Sequence, residues 1–126
     1  MLKRMRRGFT LVELMVVMAI IALLLALALP RYFKHLDMSR ETILKQDLAV
    51  MRDAIDKYHG DTGRYPDSLE ALVGARYLRS LPVDPITERP DTWLIVAPSR
   101  DDAGAMYDIK SGAPGTAHDG SAYANW

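Results

Sequence analysis

The 126-residue chain has no cysteine, only two phenylalanines and two tryptophans, and no formal excess of either charge. Without cysteine there is no disulfide framework, no thiol nucleophile and no thiolate metal site. Sixteen basic and sixteen acidic residues cancel, but the balance hides an asymmetry: Lys3, Arg4, Arg6 and Arg7 stand in an opening stretch of eight residues that carries no acid. Taking those four away leaves twelve basic residues against sixteen acids in the remainder. A mildly acidic body does not neutralise a phosphate backbone, so no nucleic-acid partner is expected. Catalytic patterns are missing too. His35, His59 and His118 share no H-x-x-x-H spacing, no G-x-S-x-G elbow surrounds a serine, and no glycine-rich phosphate loop opens a helix. Asp101-Asp102 sits in a stretch bounded by Pro98 and Gly104, where turn chemistry and solubility account for it. No enzyme is expected.

What the chain does have is one long apolar segment. Leu14 to Leu29 are sixteen consecutive apolar residues, and the run reaches back to Phe9 with only Thr10 and Glu13 as polar exceptions. At a rise of about 1.5 Å per residue, a helix of this length crosses a hydrocarbon core of about 30 Å. The basic residues ahead of it place the N-terminus in the cytoplasm and the body on the far side of the membrane. A secretory signal peptide shares the basic start. Its apolar stretch is shorter, however, and it ends at a small-residue cleavage site, whereas this one runs into Pro30-Arg31-Tyr32-Phe33. A retained anchor is therefore expected.

Glu13 is the anomaly of that segment. A carboxylate inside an apolar helix costs about 2.5 to 3.5 kcal/mol at the bilayer centre, less near the edge, and usually has a partner. No Lys, Arg or His lies between Phe9 and Pro30 to supply one. A new N-terminal ammonium on another chain is the right kind of group, and making it needs a cut just ahead of Phe9. A plain signal anchor, with Glu13 tolerated near the interface, explains the topology but gives the carboxylate no purpose.

The run Arg7-Gly8-Phe9-Thr10-Leu11-Val12-Glu13-Leu14 resembles the processing signature of type IV prepilins and of the pseudopilins of type II secretion. The resemblance implies that a prepilin peptidase cuts between Gly8 and Phe9, that Phe9 becomes the N-methylated residue, and that Glu13 pairs with a neighbouring subunit's N-terminus during assembly. Gly8 suits a peptidase that needs an unhindered residue before the bond, although an isolated glycine also serves as a helix breaker. Further along, Gly63-Arg64-Tyr65-Pro66, Tyr77-Leu78, Leu81-Pro82-Val83-Asp84-Pro85 and Asn125-Trp126 resemble the major, G-type pseudopilin. Pro30 agrees with the same family, whose helices often carry a proline that kinks the rod. A proline in a helix interior costs about 3 kcal/mol unless the break is used. Implied partners are other pseudopilins in a homopolymer, a polytopic inner-membrane platform protein and a cytoplasmic ATPase.

G-type pseudopilins bind calcium in the C-terminal loop through acids and backbone carbonyls, and here the sequence departs from its family. Gly112-Ala113-Pro114-Gly115 lacks the family's acid, Ala122 stands where an acid precedes Tyr123, and Asp119 is the one obvious carboxylate left. Calcium takes six to eight oxygens and usually several charges, so a single acid makes a poor site. The expectation is no cofactor, with calcium at Asp119 the exception to test.

The expected organisation is a cleaved leader over residues 1–8, a transmembrane and assembly helix over 9–30, and a periplasmic domain over 31–126. Leu44, Leu48, Met51, Ile55 and Tyr58 step by four, three, four and three, which predicts an amphipathic helix with one core-facing stripe. Glu41 with Lys45 and Asp53 with Lys57 have the spacing of acid-before-base pairs on its solvated face. Gly60 and Gly63 are expected to end the helix. Asp67-Ser68-Leu69-Glu70 predicts a cap at Asp67, with its capping acid three residues on, and a short helix to about Val73. The prolines from Leu81 to Pro90 predict a loop, and Trp93 to Ala97 and Met106 to Lys110 predict an antiparallel hairpin. Ser111 to Asn125 has the composition of a floppy tail. The fold class is α+β, a long helix on a small antiparallel sheet, as in pilins.

Three functional readings follow. The first is a structural subunit of a type II secretion pseudopilus. The second is the pilin of a type IV pilus used for adhesion, motility or DNA uptake, against which the missing C-terminal cysteine pair counts. The third, a membrane-anchored periplasmic binding domain, leaves Glu13 and the Gly8-Phe9 junction unexplained.

Overall fold

A computed structural model describes residues 8–126. The basic leader residues Lys3, Arg4, Arg6 and Arg7 lie outside the described residues. The chain divides into two compact units, Met1–Leu36 and Asp37–Trp126. Elements follow in the order α1 (Leu11–Thr62), α2 (Leu69–Gly74), β1 (Trp93–Val96), β2 (Asp108–Ser111) and a single 3-10 turn at Tyr123–Asn125.

In the first unit α1 presents apolar side chains on every side. Leu11, Val12, Leu14 to Met18, Ile20, Ile21, Leu23 to Leu25, Leu27 and Leu29 are all exposed. A helix that is apolar all round needs lipid or other helices as its surroundings. Helical structure is continuous through Pro30, whose missing N–H leaves the carbonyl of Ala26 without its usual intrahelical donor.

The second unit is built on the stripe seen in the sequence. Leu44, Leu48, Met51 and Ile55 are fully buried, and Tyr58 packs half-buried against them. Leu69 and Leu72 of α2, Trp93 of β1, Ile109 of β2, Leu78, Met106, Ala113, Ala117 and Tyr123 complete the core. The helix runs past Gly60 and stops at Gly63, which takes φ +74° and donates its N–H to the carbonyl of His59 at 2.8 Å. A left-handed residue just beyond the last turn is the usual way to satisfy that carbonyl, and glycine adopts it without strain. Gly60 lies within the last turn rather than ending it.

The Gly63-Arg64-Tyr65-Pro66 segment ties the end of the helix to the hairpin. Tyr65 N–H donates to Ala103, and the carbonyl of Pro66 accepts from Met106 at 2.9 Å. Tyr65 stacks on His59 with ring centroids 4.1 Å apart. The cap of α2 is Ser68, whose hydroxyl accepts from the N–H of Ala71 at 3.1 Å. Asp67, the residue expected there, pairs with Arg64 at 3.0 Å instead.

β1 and β2 are antiparallel, with Trp93 opposite Ser111 and Val96 opposite Asp108. The second strand begins two residues later than its composition predicts, because Met106 is drawn into the core and spends its N–H on Pro66 rather than on the ladder. Asp102 serves the intervening turn, accepting from the Ser99 hydroxyl at 2.8 Å. Just past β2 the chain runs against Thr92. A Cβ at Gly112 would overlap the Thr92 carbonyl oxygen. Gly112→Ala should therefore cost roughly 1 to 3 kcal/mol, measurable as a lowered melting temperature of the detergent-extracted chain.

The segment from Ser111 to Asn125 is an ordered part of the domain, against the tail its composition suggests. Ala113, Ala117 and Tyr123 are buried, and Thr116 bridges Ala122. Small residues there belong to the same core as the helix stripe; they are not the mark of a solvated linker.

Candidate functional site

The start of α1 holds Gly8, Phe9 and Glu13. Gly8 and Phe9 lie ahead of the helix without regular structure, and Phe9 is 90 % exposed. Among the described residues no atom lies within 4 Å of the place a Cβ at Gly8 would occupy. Close packing among the described residues therefore does not require glycine at this position.

Glu13 has a partner within its own chain. Its Oε2 accepts from the N–H of Thr10 at 3.2 Å, while the Thr10 hydroxyl accepts from the N–H of Glu13 at 3.1 Å. This is a reciprocal capping box in which residues at the N-cap and at the third helical position satisfy each other's orphan donors. It also puts a negative charge at the positive end of the helix dipole. Thr10 carries a signal in the sequence itself, since T-x-x-E ahead of an apolar run is a capping pattern. The cap uses Oε2 at the exposed tip of the helix, and among the described residues Oε1 accepts no hydrogen bond.

Asp119 sits in the C-terminal loop of the other unit. Its Oδ1 accepts from both the N–H (2.9 Å) and the hydroxyl (2.5 Å) of Ser121. Those two donors are the main reason its carboxyl is held below the usual range. Among the described residues no group of three or more His, Asp or Glu converges where a metal ion could be held. Asp119 closes the turn through Oδ1, and a calcium ion there would need most of its oxygens from elsewhere in the loop, such as backbone carbonyls. Such a local use of aspartate is ordinary turn chemistry.

Comparison with known proteins bears on both places. Residues 3–29 match the family described as the prokaryotic N-terminal methylation motif. The type II secretion system core protein G of Pseudomonas aeruginosa is 37 % identical over 101 residues, covering 68 % of this chain and 71 % of that protein. The core protein G of Klebsiella michiganensis is 30 % identical over 143 residues, covering 100 % of this chain and 96 % of its own length. The chain belongs to the core protein G family of pseudopilins. The pseudopilins lie within a wider pilin-like group, and the fimbrial protein EcpC of Eikenella corrodens is also 30 % identical, over 96 % of this chain and 82 % of its own. No solved structure matches the pseudopilin. The methylation motif spans Gly8, Phe9, Thr10 and Glu13 together with the apolar face of α1, so the match falls on the residues that the capping geometry singles out. The α+β architecture expected of a pilin-like chain is the one found, and the apolar N-terminal helix makes this a membrane-anchored protein.

Proposed function

We propose that this pseudopilin is a structural subunit of a type II secretion pseudopilus. It waits in the inner membrane with its N-terminus cytoplasmic and its domain periplasmic. A prepilin peptidase cuts between Gly8 and Phe9 and methylates Phe9, and the subunit then polymerises through its helix. The carrying observation is an all-round apolar helix headed by a carboxylate at its exposed tip.

Each part of that helix has a task in assembly. The apolar faces are at home in lipid before assembly and against neighbouring helices afterwards, so van der Waals packing supplies the cohesion. Glu13 meets the Phe9 ammonium of another subunit, which gives its second oxygen a charged donor. One ion pair does not hold a filament against the lost freedom of the subunits, but it sets the axial register at which helices stop sliding. Pro30 leaves a carbonyl free within the rod, a place where the helix bends or opens. No nucleotide-binding loop is present in the sequence, so the work of extraction is done by a cytoplasmic ATPase acting through a platform protein.

Intact mass and N-terminal sequencing of the chain co-expressed with a prepilin peptidase test this reading. The expected product begins at Phe9 and is one methyl group heavier than the cut chain. Gly8→Leu should accumulate uncut precursor. A product that keeps Met1 to Gly8 alongside an active peptidase would sink the proposal. The similarity to a fimbrial protein supports a second reading, a pilus subunit. Complementation separates the two: a pseudopilin restores protein export to a strain lacking its core protein G, and a pilin restores surface fibres.

A further inference from the structure

Three side chains on one face of α1 grip the C-terminal loop. Glu41, Lys45 and Arg52 are spaced four and seven residues apart, which aligns them along the helix. The Glu41 carboxylate accepts at Oε1 from the N–H of His118 at 2.8 Å and from the hydroxyl of Tyr123 at 3.1 Å. Lys45 holds its ammonium over the ring of Trp126, 4.4 Å from the centroid. Arg52 donates through Nε to Asp108 at 2.8 Å and through Nη2 to the carbonyls of Ile109 and Trp126, both at 2.9 Å.

Inside the loop the same residues are linked to one another. Trp126 donates its indole N–H to Ser121 at 2.8 Å, Ser121 donates to Asp119, and Tyr123 meets Trp126 edge to face at 5.2 Å. The wet pair that the Glu41 and Lys45 spacing predicts gives way to this arrangement, whereas Asp53 and Lys57 do form theirs at 2.8 Å. Burial, and then the Glu41 carboxylate, push the Tyr123 phenol up, as expected of a hydroxyl kept as a donor to an anion.

The groove between helix and loop is lined by Met38, Glu41, Thr42, Lys45, His118 and Asp119. A cation entering it would face the Lys45 ammonium, and both acids there already accept two hydrogen bonds from the protein.

We propose that Glu41, Lys45 and Arg52 do in this chain what a bound divalent cation would do in the same loop, so that the loop is held against the helix without metal. Gly112-Ala113-Pro114-Gly115 and Ala122, which lack the family's acids, are then matched by a latch built from helix side chains. Charge-assisted bonds are about twice as strong as neutral ones, and here several act together on one short loop.

Hydrogen exchange of the full-length, detergent-extracted chain tests this, read at the amides of residues 116–126. Wild type should show the same protection, and the same melting temperature, in millimolar calcium chloride and in excess EGTA. Glu41→Ala should speed exchange at His118 and its neighbours by about tenfold while leaving the β1 to β2 ladder amides protected. Tyr123→Phe, which deletes one donor without removing a charge, should give a smaller change in the same amides. Calcium-dependent protection or melting in wild type would overturn the proposal. So would wild-type exchange in Glu41→Ala.

Discussion

Replacing Glu13 with glutamine is expected to leave cleavage and the start of the helix intact and to cut assembly sharply. Glutamine accepts the Thr10 N–H as glutamate does, so the capping box survives the change. What disappears is the charge. The relief of an intramembrane carboxylate is worth at most about 2.5 to 3.5 kcal/mol, the bilayer-centre value, and less near the edge, so filament yield should fall by roughly tenfold or more at equal amounts of processed subunit. Sheared-filament and membrane fractions of the same cells give the ratio directly. If capping were the whole purpose of Glu13, Thr10→Val and Glu13→Ala would behave alike, each weakening the helix start by about 1 kcal/mol, and Glu13→Gln would assemble as wild type. Normal assembly of cleaved Glu13→Gln would therefore refute the pairing with Phe9.

The second large effect is expected at Asp84, far from any membrane segment in sequence. This side chain is fully buried. Its Oδ1 accepts from the N–H of Ile86 at 2.8 Å and of Thr87 at 3.3 Å, and its Oδ2 accepts from the hydroxyl of Ser111 at 2.7 Å. Ser111 in turn accepts from Ala113, while the backbone of Asp84 bridges Arg89. One carboxylate thus fixes the proline-rich loop to the end of β2. Asp84→Ala strands several buried donors and should destabilise the domain by about 3 to 5 kcal/mol. Asp84→Asn keeps an acceptor and should cost less. Thermal melting in detergent orders the three proteins, and an Asp84→Ala chain that melts with wild type would show that water replaces the lost acceptor.

Periodicity made the helix and its core stripe legible, because Leu44, Leu48, Met51 and Ile55 repeat along one face regardless of what packs on them. The anchor was legible for the same reason, as a length of apolar chain. Asp84 was visible only as part of a family-like string, since nothing in Leu-Pro-Val-Asp-Pro says that the carboxylate points inward to Ser111, twenty-seven residues on. Glu41 and Lys45 read as a surface pair because the helix alone offers them each other. Their actual partners belong to a segment whose composition conceals its order. Asp67 lost the cap to Ser68 by one residue, the usual uncertainty where two capping side chains are adjacent.

The grip of α1 on residues 118–126 also sets a clock for the folding chain. Synthesis delivers Glu41 and Arg52 more than seventy residues before their partners His118 and Trp126. Contacts this distant in sequence form late, after the cost of closing the loop has been met. Until the loop arrives, Glu41 and Arg52 stand without those partners and the buried place of Tyr123 stays empty. A chain that has not yet received its last residues therefore differs from a finished one on this helix surface, where charged and apolar groups that the loop covers stand uncovered.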